Sequence, residues 1–250
     1  MPEPLPPSVA QFADDAPTAR YHDPLPLLKR VDRLALPEDA LVLDVGCGSG
    51  LLALDIARAQ PAARVVGLDP SPEQVERARA NAAAAGTANA EFRVGTADGL
   101  LAAGERFHLI TLIEVAQFLG DLEAELSTLA ALLQPGGALV VKSSILPPEP
   151  AGRAFSQALL ERFIHNASSY RNEEEWRAAL GAASLHVVEI EYHPWRLREV
   201  RPERAAILSE ELAARSVSFE QAQEWMQNAI ITARAPATLP GATEATGAGG

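Results

Sequence analysis

Two carboxylates and three glycines near the start of the chain have the spacing of a nucleotide-binding turn. Asp44 precedes a turn with glycine at every second position, namely Gly46, Gly48 and Gly50. Asp69 lies roughly twenty residues beyond that turn, where the acid that binds ribose hydroxyls falls in nucleotide-binding α/β folds. Glycine allows a tight turn and a close approach of the backbone to a ligand. The pattern predicts a cofactor with a nucleoside part.

The segments around these residues have the patterns of strands and helices in an α/β sheet. The apolar, β-prone run 41–45 predicts a strand that is buried on both faces, and 51–59 predicts a helix. Residues 65–69 predict a second strand that ends in the acid. Ser71 and Gly86 are typical N-terminal and C-terminal caps and predict a helix between them. Strand, glycine turn and helix form the opening unit of a doubly wound fold.

The rest of the chain continues this alternation of strands and helices. Further strands are predicted at 91–94, 107–113, 138–144, 185–192 and 229–234, and helices at 27–35, 122–133, 151–170, 172–180 and 203–227. The fourth of the seven strands ends at Ile113, so Glu114 and Gln117 follow its carboxyl end, where open α/β sheets bind ligands. We expect these two side chains to contact substrate or cofactor, or else to form an ordinary solvated turn.

Four motifs together resemble the class I S-adenosylmethionine-dependent methyltransferases. They occur in the family's order and are 44–50 (DVGCGSG), 66–71 (VGLDPS), 95–98 (GTAD) and 133–139 (LQPGGAL). They cover about residues 38 to 145. A dinucleotide fingerprint would instead place a third glycine where Leu51 stands, which disfavours a dehydrogenase.

The resemblance implies an α/β fold, a Rossmann-like doubly wound seven-stranded sheet with an antiparallel last strand and a helical cap. The domain boundaries that we predict are a disordered N-terminus at 1–8, a methyltransferase domain at 9–235 with cap elements near 9–36, 149–171 and 196–227, and a disordered tail at 236–250. The helical insertion before the last strand departs most from the family pattern.

The resemblance also implies the groups that would bind S-adenosyl-L-methionine. Asp69 would accept the ribose hydroxyls, Asp98 the adenine amino group, and Arg20 would bind the methionine carboxylate. The full set of candidate residues is Asp44, Gly46, Cys47, Gly48, Gly50, Asp69, Pro70, Ala97, Asp98, Gly99, Glu114, Tyr21 and Arg20. The alternative is turn chemistry for the two acids and a surface position for Arg20 and Tyr21.

The implied activity is methyl transfer to a small-molecule acceptor at oxygen, nitrogen or carbon, with secondary metabolism as one setting. For a hydroxyl acceptor, the candidate general bases are His22, His165 and His193, each of which could equally be a surface histidine. No Cys/His cluster has metal-ligand spacing, so no metal is expected. The rivals are non-methylating chemistry such as a cyclisation and a non-catalytic regulatory module.

Composition narrows the expected partners. The net charge of −12 argues against nucleic acid, because phosphate binding needs a basic surface. A single cysteine excludes an internal disulfide, and neither a membrane-spanning run nor a secretion signal is recognised. We therefore expect a cytoplasmic protein, as a monomer or a homodimer.

Overall fold

The computed structural model describes residues 25–238, apart from 165, 166 and 168. Its strands are β1 Leu41–Val45, β2 Arg64–Asp69, β3 Ala90–Val94, β4 Phe107–Ile113, β5 Leu133–Ile145, β6 His186–Pro194 and β7 Gln227–Arg234. Its helices are α1 Leu25–Arg33, α2 Leu51–Ala59, α3 Pro72–Ala85, α4 Ala97–Ala102, α5 Leu122–Leu132, α6 Pro150–Phe163, α7 Glu173–Ala182, α8 Pro202–Arg215 and α9 Phe219–Trp225. Short 3-10 helices lie at Ala116–Phe118 and Leu197–Glu199.

All seven strands form one sheet in the order β3-β2-β1-β4-β5-β7-β6. The first five strands are mutually parallel, whereas β7 runs antiparallel to both of its neighbours, β5 and β6. This arrangement confirms the predicted doubly wound seven-stranded sheet with an antiparallel last strand. Because β1 to β5 are parallel, their carboxyl ends lie at one edge of the sheet, which we call the carboxyl edge.

Helices cover both faces of the sheet, and strand residues alternate between the two cores. In β1, Leu43 packs with α4, α5 and α7, whereas Val42 packs with α1, α2 and α3 on the opposite face. Trp176 of α7 is fully buried in the first core. The near-continuous apolar character of the parallel strands follows from this two-sided burial.

A third apolar cluster joins α6, α8 and α9 into the predicted helical cap. Phe155 and Phe163 of α6 are buried there with Tyr170 and Leu208. None of the helices among residues 25–238 is both long and apolar enough to cross a membrane.

Three predicted elements differ from the structure by more than two residues at a boundary. The helix predicted at 151–170 ends at Phe163, because residue 171 forms an isolated bridge with Ile145 at the end of β5. The helix predicted at 203–227 is two helices, because Ser216 adopts a left-handed conformation (φ 53°) and Ser218 caps a new helix. Strand β5 begins at residue 133, not 138, because Leu133 already pairs with Phe107 of β4, and a register shift separates this pair from the next one, Leu109 with Ala138.

The predicted domain boundaries stay a prediction. The segments 1–8 and 239–250 lie outside the described residues, as do residues 9–24 of the first predicted cap element.

Candidate functional site

The glycine turn that links β1 to α2 has different constraints at each glycine. Gly46 has φ +68°, and a Cβ there would lie 2.4 Å from Val115 Cγ2. At Gly50 (φ +79°) a Cβ would lie 2.6 Å from Phe92 Cε1. A Cβ on Gly48 would meet no atom within 4 Å. Internal packing therefore requires Gly46 and Gly50, and the turn faces open space at Gly48.

Asp69, at the end of β2, is held beside that open face. Its Oδ2 accepts the Gly48 N–H at 2.9 Å and its Oδ1 accepts the Ser71 N–H at 2.9 Å. Burial raises the pKa of this carboxyl, and the two N–H donors oppose that rise. Each carboxylate oxygen has a second acceptor site, so two hydroxyl donors can still bind. Pro70 follows directly and is half-buried.

Asp44 is buried behind the turn and is anchored from the neighbouring strand. Thr111 Oγ1 in β4 donates to Asp44 Oδ1 at 2.7 Å. Burial raises the pKa of Asp44 to about 7, the Thr111 bond opposes the rise, and the charge of Asp69 adds to it. Sequence reasoning missed Thr111, although a hydroxyl inside the apolar run 109–113 is itself a signal of a buried polar partner.

Cys47 lies in the same turn, and its thiol is unreactive. Its side chain is half-buried, and burial raises the pKa of the thiol, with the charges of Asp44 and Asp69 adding to the effect. The thiol is therefore protonated and a poor nucleophile.

The predicted adenine-contacting turn lies beside the end of β2. The Gly95 N–H donates to Asp69 O at 3.1 Å. Asp98 is exposed and its Oδ1 accepts from Thr128 Oγ1 at 3.3 Å. Ala97 is buried and Gly99 is exposed, with no atom within 4 Å of a Cβ placed on it. Asp98 and Gly99 can thus face a ligand that contacts Asp69.

Glu114 follows β4 at the same edge, in a left-handed conformation (φ +57°). Its N–H donates to Lys142 O at 2.8 Å and its carboxylate pairs with Lys142 Nζ at 3.1 Å. Gln117 Nε2 donates to Glu114 O at 3.0 Å, and the Gln117 side chain is buried. The carboxylate of Glu114 is therefore engaged by a cation of the chain itself.

Of the candidate bases, His193 lies among the described residues. It lies near the carboxyl end of β6, which runs parallel to β5 because β7 is antiparallel to both strands. His193 is therefore at the carboxyl edge, but four strands from β1, or roughly 19 Å across the sheet at the usual strand spacing. His22 and His165, like Arg20 and Tyr21, lie outside the described residues.

Two features lie away from the glycine turn. His108, at the start of β4, accepts the Leu41 N–H through Nδ1 at 3.0 Å and so has a structural role. A cavity of about 590 Å³ lies beyond the end of β5, where Tyr192 and Trp225 line it. Within the described part of the chain, His, Cys, Asp and Glu side chains form no cluster of three that could hold a metal ion.

Comparison with known proteins agrees with this geometry. The family model of a methyltransferase domain matches residues 42–137. The chain is 34% identical over 166 residues to a ubiquinone biosynthesis O-methyltransferase of Rhizobium johnstonii, which covers 64% of this chain and 66% of the relative. It is 33% identical over 174 residues to the protein of the same name in Mesorhizobium japonicum, which covers 66% of this chain and 69% of the relative. The chain spans 64% to 66% of the length of three such ubiquinone biosynthesis O-methyltransferases, including the one from Rhizobium johnstonii.

Solved structures share the fold over more of the chain. A SAM-dependent methyltransferase from Thiobacillus denitrificans, in complex with S-adenosyl-L-homocysteine, is 23% identical with a TM-score of 0.63 and covers 93% of this chain and 100% of its own. The sheet order, the glycine turn and these matches agree, and the chain belongs to the class I S-adenosylmethionine-dependent methyltransferases.

Proposed function

We propose that this protein transfers a methyl group from S-adenosylmethionine to a hydroxyl oxygen of a small molecule. The single observation that carries the proposal is Asp69, a buried carboxylate fixed by two backbone N–H groups beside the open face of Gly48. The choice of oxygen is supported by the relatives, which are named for O-methylation. A net charge of −12 favours a small molecule over a nucleic acid.

The residues present fit the cofactor. Asp69 keeps two acceptor sites for ribose hydroxyls, and Gly48 leaves space where a side chain would intrude. Asp98, with the exposed backbone of Gly99, would hold the adenine, and Asp44 would contact the ammonium end through water. Bound S-adenosylmethionine supplies an electrophilic methyl group. The other candidate residues, Pro70, Ala97, Cys47 and Glu114, would complete the wall of the site.

The chain's own part in the reaction is to orient the acceptor and to exclude water. The apolar cap of α6, α8 and α9 provides the dry surface on the acceptor side. For a hydroxyl acceptor, the candidate general bases remain His22, His165 and His193, of which His193 lies at the carboxyl edge, four strands from β1.

The test is product formation from pooled small hydroxylated metabolites. The purified protein is incubated with S-adenosylmethionine, and mass spectrometry follows S-adenosylhomocysteine together with an acceptor heavier by one methylene. Asp69→Ala should lose both products, whereas Asp32→Ala, an exposed change on α1, should keep them. Cofactor binding without S-adenosylhomocysteine would instead indicate non-methylating chemistry or a regulatory module, and would overturn the methyl-transfer proposal.

A further inference from the structure

Among the buried polar atoms that lack hydrogen-bond partners within the described residues, two belong to the turn after β4 and the segment after α6, where the sheet meets the cap. They are Oε1 of Gln117, a side chain 2% exposed, and the hydroxyl of Tyr170, 7% exposed. Buried polar atoms are almost always paired, so an unpaired one needs an explanation. We propose that Gln117 and Tyr170 form an acceptor subsite that binds a hydroxyl group of the substrate. This proposal rests on the proposed function.

The orientation of the Gln117 amide is set by the chain. Its Nε2 donates to Glu114 O at 3.0 Å, and an exchanged amide would bring two oxygens together. The free end is therefore the oxygen, which can only accept. Because Gln117 lies in the 3-10 helix that follows β4, this acceptor is fixed at the carboxyl edge.

Tyr170 is held near the same place by its two neighbours in sequence. Ser169 Oγ donates to Leu119 O at 3.2 Å, two residues past Gln117. Arg171 O accepts the Leu146 N–H at 2.9 Å, just beyond β5. Tyr170 is thus clamped between the turn after β4 and the end of β5. The other unpaired atoms among the described residues belong to Arg30, Arg171, His193, Ser156, Trp176 and Thr232. The first three side chains each pair with a carboxylate. Ser156 lies on α6, Trp176 in a helix-covered face and Thr232 in the middle of β7.

The two atoms offer one donor and one acceptor. Burial raises the pKa of Tyr170, and the charge of Glu114 raises it further, so the hydroxyl keeps its proton and donates. A hydroxyl group both donates and accepts, which matches this pair, whereas an ether or a ketone would leave Gln117 unpaired. Phe118 and Phe163 pack in the same cluster as Tyr170. The subsite therefore fits a hydroxyl on an apolar, aromatic body.

The probe is 1-naphthol, and 1-methoxynaphthalene is the matched ether without a donor. Both are titrated by calorimetry into protein saturated with S-adenosylhomocysteine. We expect 1-naphthol to bind the unmodified protein more tightly than the ether. Tyr170→Phe and Gln117→Met should each lower the affinity for 1-naphthol by about tenfold, the effect of one lost hydrogen bond. Both variants should keep the affinity for S-adenosylhomocysteine within about twofold of that of the unmodified protein.

A second readout separates a ligand-binding role from a structural one. Because the Tyr170 hydroxyl has no hydrogen-bond partner within residues 25–238 as described, Tyr170→Phe should leave the melting temperature unchanged or raise it by about 2 °C. Tyr192→Phe is the control, since this exposed tyrosine lines the 590 Å³ cavity, and it should not change 1-naphthol binding.

Each of the following results would overturn the subsite. They are no 1-naphthol binding, equal binding of the ether, loss of binding in Tyr192→Phe but not in Tyr170→Phe, and a fall of several degrees in the melting temperature of Tyr170→Phe. If the unmodified protein does not bind S-adenosylhomocysteine, the proposed function itself fails. Normal S-adenosylhomocysteine binding with unchanged 1-naphthol affinity in the variants refutes the subsite alone.

Discussion

The substitution Asp44→Asn should stabilise the free protein while weakening its site. Asp44 is 3% exposed, and burial raises its pKa from 3.8 to about 7. At pH 8 the Asp44 carboxylate is therefore charged in both states, but it is buried in the folded protein and hydrated in the unfolded chain. A shift of this size corresponds to on the order of 4 kcal/mol of lost stability.

The direction of the pKa shift makes the expected gain in stability depend on pH. A raised pKa means that the folded state binds the proton more tightly, so this contribution to stability is present at low pH and is lost as the pH rises from about 4 to about 7. The uncharged amide should raise the free energy of unfolding by on the order of 4 kcal/mol at pH 8 and by only about 1–2 kcal/mol at pH 5. The asparagine amide can be accommodated by Thr111. The Thr111 hydroxyl can donate to Leu43 O, 3.4 Å away, while its oxygen accepts a hydrogen bond from the amide NH₂ group.

The assay is urea unfolding of the free protein at both pH values. Asp32→Asn, an exposed change on α1, is the matched control and should stay within about 0.5 kcal/mol of the unmodified chain. S-adenosylhomocysteine affinity should fall in Asp44→Asn and not in the control. A gain that is equal at pH 5 and pH 8, or a loss at pH 8, would refute the reasoning from burial.

The remaining predictions concern backbone geometry and capping. Gly46→Ala should destabilise the protein by about 2 kcal/mol or more, because a Cβ would overlap Val115. Gly48→Ala meets no atom, so its cost should be near 1 kcal/mol from its positive φ, with the larger effect on S-adenosylhomocysteine binding by calorimetry. Ser218→Ala removes the cap of α9 and should cost about 1 kcal/mol in urea unfolding, without changing cofactor affinity. If Gly46→Ala and Gly48→Ala lost the same S-adenosylhomocysteine affinity, the assignment of Gly46 to internal packing and of Gly48 to the ligand-facing side of the turn would be contradicted.

Local patterns predicted the elements that carry the cofactor site. Strand β1, helix α2 and strand β4 begin and end at the predicted residues, because apolar runs are bounded there by glycine or polar residues. The cap at Gly86 was also readable, since its left-handed conformation (φ 63°) favours glycine. These features depend on neighbours in sequence.

Non-local contacts explain what the sequence did not reveal. Thr111 meets Asp44 across 67 residues, and Ser169 meets Leu119 across 50. Helix α6 ends early because the chain after it pairs with β5, a contact that no local pattern signals. The break before α9 could have been anticipated, because Ser218 and Gln221 form a capping box that is visible in the sequence.

The most direct test of the central claim is calorimetric titration of the purified protein with S-adenosylmethionine and S-adenosylhomocysteine. We expect both compounds to bind, and we expect Asp69→Ala to lose about 1–3 kcal/mol of binding free energy to each, because the carboxylate beside Gly48 accepts hydrogen bonds from the ribose hydroxyls. Asp32→Ala should bind as the unmodified chain does. Binding of neither compound by folded protein, or unchanged affinity in Asp69→Ala, would contradict the assignment of this edge as the cofactor site.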